Sequence, residues 1–218
     1  MKKKYNWSSH LLNFISVILG VYLAFYVDAR GKAREDRREA KLLMQSMVND
    51  LKADIKSYET YQIPFNTNYQ EGVDSILTFL VSKNVEGIEN KLPTILQVEN
   101  YAPNISIYNS MKTSGKLRLI EDVQLQKSLS DFYDGTAQEC ISKNDIQADY
   151  FLDEVMSWLR LNTDLMQMKL LPDRELLVLQ NTLMIYQSLV NQKVRQYGLV
   201  VEESKALQEQ IEGVLANH

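Results

Sequence analysis

The chain opens with an uninterrupted apolar segment. Residues 11–27 read LLNFISVILGVYLAFYV and include no charged residue. Their number lies at the lower limit of a membrane-spanning helix, which takes roughly 17 to 25 residues. A helix built from them is apolar on every side, so no polar stripe is left to face water. The pattern predicts a transmembrane helix over 11–27, with residues 1–10 as a short basic tail before it.

Two other interpretations of this segment are a cleaved signal peptide and a buried core helix. A signal peptide ends at a small-x-small cleavage site, and the sequence that follows here, YVDARGKARED, offers a poor one. A core helix of a soluble domain normally keeps one polar face, which is missing here. We therefore expect a retained, single-pass membrane anchor.

Three small or polar residues recur along one side of the predicted anchor, namely Asn13, Ser16 and Gly20. Such residues let membrane helices approach closely and bond to one another, although they are also tolerated singly. We predict a membrane-helix contact at these positions. The segment holds no ionisable residue, so the usual marker of an ion pathway is missing.

Residues 28–61 are predicted to form a charged stalk and its helical continuation. Met44, Val48, Leu51 and Ile55 recur at steps of three and four, which is the spacing of one helix face. Residues 31–41, GKAREDRREAK, are charged on all sides of the predicted helix, as in a solvated stalk. Basic residues close to a bilayer gain energy from anionic lipid. The predicted lipid-headgroup contacts are Arg30, Lys32, Arg34, Arg37 and Arg38.

The orientation of the anchor is open from the charges. Lys and Arg number three before the anchor and six between Arg30 and Lys41, and this count alone places the C-terminal side in the cytoplasm. Four acidic residues between Asp28 and Glu39 offset four of those six, so the charge difference keeps the N-terminus inside. We expect the second arrangement, in which the C-terminal domain is periplasmic.

Residues 62–218 are predicted to form a helical bundle domain. Pro64 is expected to end the long N-terminal helix, and a second helix is expected from about Asn66 to Val81. Gly115 should stop a short helix in a left-handed cap, after which Glu121 or Asp122 begins the next helix.

The rest of the domain continues the helical pattern. One helix, or two helices broken near Asp134 and Gly135, should reach about Leu161, and a last helix should run from Pro172 to Ala216. With glycine and proline scarce, the sequence predicts an all-α protein in which an N-terminal transmembrane helix continues into a stalk helix and an antiparallel bundle. The buried stripe of the middle helix is expected at Leu125, Leu129 and Phe132.

Composition excludes several classes of function. The net charge is −4, which argues against a nucleic-acid partner because affinity for a polyanion rests on clustered Lys and Arg. The two histidines lie at positions 10 and 218, so neither a triad nor a His-containing metal site can form inside the domain. The single Cys140 is either a small core residue or a reactive thiol. We expect no enzyme activity and no cofactor.

Two segments carry a family resemblance. The first, ISVILGVYLAFYVDARGKAREDRREAKLLMQSMVNDLKADI, combines an apolar helix ending in G-x-x-x-A, a charged stalk and a leucine-rich L-x-x-L-x-x-D-L helix, matched loosely at Leu43, Met47, Asp50 and Leu51. The second, SIYNSMKTSGKLRLIEDVQLQKSLSDFYD, has a short helix, a Ser-Gly turn, a Leu/Ile hook and a helix ending in Tyr. Together they resemble a widespread uncharacterised family of bacterial single-pass membrane proteins.

The tail SKALQEQIEGVL is similar to the closing helix of that family. The chain departs from the family after the anchor, where the family tends to have Trp and this chain has Tyr26 and Asp28. The resemblance implies an envelope protein of the bacterial inner membrane and supplies no catalytic residue.

Long amphipathic helices without a chemical centre favour a membrane-anchored interaction or scaffold protein, which assembles with itself or with a membrane-protein partner and contacts membrane lipid. The alternative is an exported bundle that senses a small ligand between its helices and signals through a partner.

Overall fold

The computed structural model describes residues 7–172 and 174–216, with side chains at Leu11 and from Phe14 onward. Nearly all of this part of the chain is helical, and its only strands are two residues long, which confirms the predicted all-α class. Three long helical segments form the bundle, and a shorter return segment links the first to the second.

The first long segment extends from α1 (Trp7–Ser57) through a π-helical turn (Tyr58–Gln62) into α2 (Ile63–Val81). The prediction that Pro64 ends the N-terminal helix was therefore wrong. Pro64 lies in the first turn of α2, directly after the π-helical turn. A wider turn at this point accommodates the missing N–H of proline without ending the helix.

The second long segment is also continuous from one end to the other. Asp122 caps its start, because its carboxylate accepts a hydrogen bond of 2.9 Å from the backbone N–H of Leu125. Asp134 and Gly135 do not break it, since both lie inside a π-helical turn. Its parts are α5 (Val123–Ser130), a π turn (Asp131–Thr136), α6 (Ala137–Tyr150), a π turn (Phe151–Val155) and α7 (Met156–Asn162).

The third long segment, α8 (Leu176–Ala216), runs antiparallel to both others. Towards the first segment, Lys205 Nζ lies 2.6 Å from Glu59 and Lys52 Nζ lies 2.9 Å from Glu212. Towards the second segment, Thr136 donates to Glu203 near one end and Tyr150 donates to the carbonyl of Thr182 near the other. The predicted antiparallel bundle is thus confirmed.

The return segment runs back along the bundle between the first two long segments. As predicted, Gly115 follows the short helix of this segment with a φ of 70°, the left-handed region that a residue without Cβ enters freely. Its helices are α3 (Val85–Lys91), a 3-10 turn (Leu92–Ile95), α4 (Ser106–Thr113) and a second 3-10 turn (Lys116–Leu119). A hairpin of β1 (Thr163–Asp164) and β2 (Lys169–Leu170), which we did not predict, joins α7 to α8.

Two hydrophobic cores are stacked along the bundle. The proximal core lies at the end of the bundle that is nearer the free N-terminal part of α1. It includes Met47, Leu51 and the predicted stripe of Leu125, Leu129 and Phe132. The distal core lies at the far end and includes Ile76, Trp158 and Leu183. Polar side chains are buried where the two cores meet, and they hold the loop 99–104.

Candidate functional site

Several buried polar side chains between the two cores bond to the loop 99–104, and Lys193 is the central one. Lys193 is 2% exposed and donates to the carbonyl oxygen of Glu99 (3.2 Å), to Asn100 Oδ1 (2.9 Å) and to Gln147 Oε1 (2.9 Å). Burial lowers the pKa of Lys193 to about 8. Because all three ammonium protons are used in bonds within the chain, this lysine has a structural role.

Asp54 fastens the same loop from α1. Its carboxylate is 1% exposed and accepts hydrogen bonds from Tyr101 Oη (2.9 Å), from the backbone N–H of Asn104 (2.8 Å) and from Asn104 Nδ2 (2.6 Å). Burial raises the pKa of Asp54, and the hydrogen bonds from Asn104 and Tyr101 oppose that rise. Asp54 therefore positions the loop.

Cys140 lies in the proximal core and is fully buried. Burial raises the pKa of its thiol to about 11, so the reactive thiolate is disfavoured at neutral pH. Of the two interpretations of this residue, the core residue fits its surroundings. Within residues 7–172 and 174–216, no group of His, Cys, Asp and Glu is arranged to hold a metal ion.

The N-terminal part of α1 stands free of the bundle with its apolar side chains uncovered. Leu11 and the large apolar side chains from Phe14 to Val27 are between 45% and 71% exposed. In the described part of the chain, the helix that contains them is the one helix long and apolar enough to cross a membrane. Apolar area of this extent is strongly unfavourable in water, so it requires a cover.

The predicted membrane-helix contact lies on this free helix. Ser16 and Gly20 are exposed, and nothing lies within 4 Å of the position where a Cβ of Gly20 would be. The backbone of Asn13 belongs to α1, but its side chain lies outside the described residues. The structure thus leaves room for a second helix against Gly20.

The five predicted lipid-headgroup residues follow on the same helix, and all five side chains are exposed. The guanidinium of Arg30 lies 4.8 Å from the ring centre of Tyr26. Arg37 forms an ion pair of 3.3 Å with Glu121 on the return segment. Arg30, Lys32 and Arg34 therefore belong to the free stalk, whereas Arg37 and Arg38 lie at the base of the bundle.

An apolar groove opens at that base, and we call it the basal groove. It lies between α1, the end of the second 3-10 turn with the two residues that follow it, and the end of α8, and its volume is about 250 Å³. We did not predict it, because its walls come from three distant parts of the sequence. Its lining residues are Arg37, Arg38, Ala40, Lys41, Met44, Leu119, Ile120, Glu121 and Val214.

The opposite end of the bundle also exposes apolar side chains, on α2, on the hairpin and on α8. Met166 at the hairpin tip is 97% exposed. Val81 and Met184 line a shallow groove of about 420 Å³ between α2 and α8. We call Val81, Met166 and Met184 together the distal surface. Exposed apolar side chains on neighbouring elements are typical of contact surfaces.

Comparisons with protein-family models, with curated proteins and with solved structures give no match to this chain. The family resemblance stays a prediction that rests on the quoted segments alone.

Proposed function

We propose that this protein is a non-enzymatic, membrane-anchored scaffold that assembles with itself or with a membrane-protein partner. The observation that carries the proposal is the helix α1, whose apolar N-terminal part is uncovered while its continuation is packed in the bundle. Lipid is the cover that a charge-free helical segment of this length accepts. In line with the resemblance, we propose the bacterial inner membrane as its location, with a periplasmic bundle.

The anchor supplies one surface for assembly. Two copies inserted in the same direction have their anchors parallel, and Ser16 and Gly20 give a stripe where two helices can approach closely. The stalk keeps the bundle close to the membrane, where Arg30, Lys32 and Arg34 are exposed to anionic headgroups. The distal surface gives a second contact for a partner, away from the lipid.

The test is the mass of the full chain purified in a mild detergent. We expect an assembly of at least two copies or a co-purifying membrane protein, and we expect Gly20→Leu to weaken self-assembly because the added side chain separates the helices. Val21→Leu is the matched control, since it also adds volume to the anchor but lies away from the Ser16 and Gly20 stripe. A strict monomer without any co-purifying protein would contradict the proposal.

Sidedness needs a separate experiment. Reporter fusions at the C-terminus that are active in one compartment only should report a periplasmic bundle. An active cytoplasmic reporter would reverse the proposed orientation and leave the anchor itself in place.

The basal groove favours a second candidate function, an exported bundle that senses a ligand and signals through a partner. A preformed apolar groove with a few charged groups at its rim is the usual form of a ligand site. A ligand present at 100 times its Kd raises the free energy of unfolding by about 2.7 kcal/mol, and a thermal-shift screen detects a change of that size.

A further inference from the structure

The basal groove exposes the end of the proximal core. Ala40, Met44 and Ile120 form its floor, and all three belong to the buried residues of the bundle. Leu119 and Val214 form half-buried walls. A ligand that covers this floor must be apolar where it enters, because the side chains of Ala40, Met44 and Ile120 are apolar and cannot compensate the burial of a polar group.

The rim of the groove is cationic. Arg37 is paired with Glu121, whereas Arg38 and Lys41 form no ion pair with any residue that the structure describes. Both side chains are exposed, so an anion can reach them from solvent. An apolar floor below two unpaired cations is complementary to a molecule with one apolar chain and one anionic head.

The size and position of the groove restrict the molecule further. The volume of about 250 Å³ lies below the usual range for drug-sized ligands and suits one chain. On a helix that rises about 1.5 Å per residue, Arg38 and Lys41 lie roughly 17 and 21 Å beyond Val27. The headgroup layer is only about 5 to 7 Å thick on each side, so a two-chain lipid seated in the bilayer does not reach the groove.

We propose that the basal groove binds a single-chain monocarboxylate of the fatty-acid class, taken up as a monomer from the aqueous phase. The alkyl chain covers Ala40, Met44 and Ile120, and the carboxylate lies between Arg38 and Lys41. This inference rests on the ligand-binding function proposed above and names its ligand class. The scaffold function does not depend on it.

The test uses the full chain in nanodiscs of zwitterionic phosphatidylcholine and a dodecanoate probe that carries a photoreactive diazirine on its chain. After illumination, we expect label on the peptides that contain Met44 and Val214. Unlabelled dodecanoate should compete. Dodecyltrimethylammonium should not compete, because it has the alkyl chain but a cationic head. Inorganic phosphate should not compete either, because it is an anion without an alkyl chain.

Two variants and a matched control test the assignment. Removal of both rim charges in Arg38→Gln with Lys41→Gln should weaken groove labelling about tenfold, as expected from two exposed ion pairs. Val214→Trp should abolish the labelling by filling the groove. Lys32→Gln with Arg34→Gln removes the same charge from the stalk and should leave the labelling unchanged. Equal thermal midpoints of the variants by circular dichroism show that each still folds.

Three outcomes would overturn the inference: label restricted to residues 11–27, groove label that survives both groove variants, or equal competition by dodecyltrimethylammonium or phosphate. The mass of the assembly is measured on the same preparations. If groove labelling fails while the assembly persists, the ligand inference is wrong and the scaffold function stands. If the assembly is lost while groove labelling persists, the scaffold function is wrong and the ligand inference stands.

Discussion

Substitution of Asp54 should loosen the loop 99–104 and weaken the bundle. Its carboxylate is almost fully buried and accepts three hydrogen bonds, two of them shorter than 2.9 Å. Hydrogen bonds to a charged group are worth about 1.5 to 3 kcal/mol each, so their simple sum exceeds 4 kcal/mol. That sum overstates the loss, since Asp54→Ala also removes the cost of burying a carboxylate.

Asn104 is exposed, so water replaces part of what its donors lose. We therefore expect Asp54→Ala to lower the free energy of unfolding by about 2 to 3 kcal/mol. Asp54→Asn keeps the size of the side chain but sets one amide donor against a donor of Asn104 or Tyr101, so we expect a loss of about 1 to 2 kcal/mol.

The assay is urea unfolding of the full chain in mild detergent, followed by circular dichroism, together with hydrogen exchange of residues 99–108. Asp50→Ala is the matched control, because Asp50 lies one turn earlier on α1 and accepts no hydrogen bond from the described residues. A loss below about 0.5 kcal/mol for Asp54→Ala, the level of an ordinary surface substitution, would refute the reasoning. Unchanged hydrogen exchange in the loop would refute it as well.

Three further substitutions can be checked in the same unfolding assay. Gly72→Ala should cost about 1 to 3 kcal/mol because its Cβ would lie 2.6 Å from Thr94 Oγ1, and Thr94→Ala should recover part of that loss. Gly115→Ala should cost about 1 kcal/mol, since alanine resists the φ of 70° there; no loss would argue against a left-handed cap. Lys193→Met should remove a pH dependence. Folded Lys193 loses its proton near pH 8 while the unfolded lysine keeps it to about 10.5, so the wild type should gain about 1 kcal/mol from pH 8 to 9 and the variant should not.

Helix ends with local signals could be predicted from the sequence. Gly115 and Asp122 act within a few residues of themselves, through a φ that glycine enters freely and through a side chain that reaches the next turn. The stripe that includes Leu125 was equally predictable, because spacing along a helix decides which side is buried.

Features that depend on packing could not be predicted in the same way. Pro64 indicates a helix end, yet the π-helical turn before it, with Tyr58 and Gln62 buried, lets the helix continue. The pattern of apolar positions also does not predict that Asp54 and Lys193 both bond to the loop 99–104 in the interior, since these two residues are far apart in the sequence.

The candidate surfaces differ in the same way, since one depends on local sequence and the other on packing. The free apolar helix was predictable, because one uncharged stretch produces it. The basal groove was not, since Met44, Ile120 and Val214 come together only when three segments pack. Arg37 and Arg38 were predicted as headgroup contacts, but in the proposed arrangement they lie about 15 and 17 Å beyond Val27, outside a headgroup layer of about 5 to 7 Å. The structure adds that both also line the groove.

The central claim is that residues 11–27 lie in lipid while the rest of the chain packs in water. It is tested most directly by spin labels placed one at a time from Phe14 to Lys41 in the full chain, in lipid nanodiscs, with Cys140 replaced by Ala. We predict that labels from 14 to 27 are reached by oxygen dissolved in lipid and shielded from a water-soluble nickel chelate, with the reverse pattern at the exposed positions from Arg30 to Arg38. Free access of the chelate to all positions, or protection of 14–27 from both reagents, would contradict the claim.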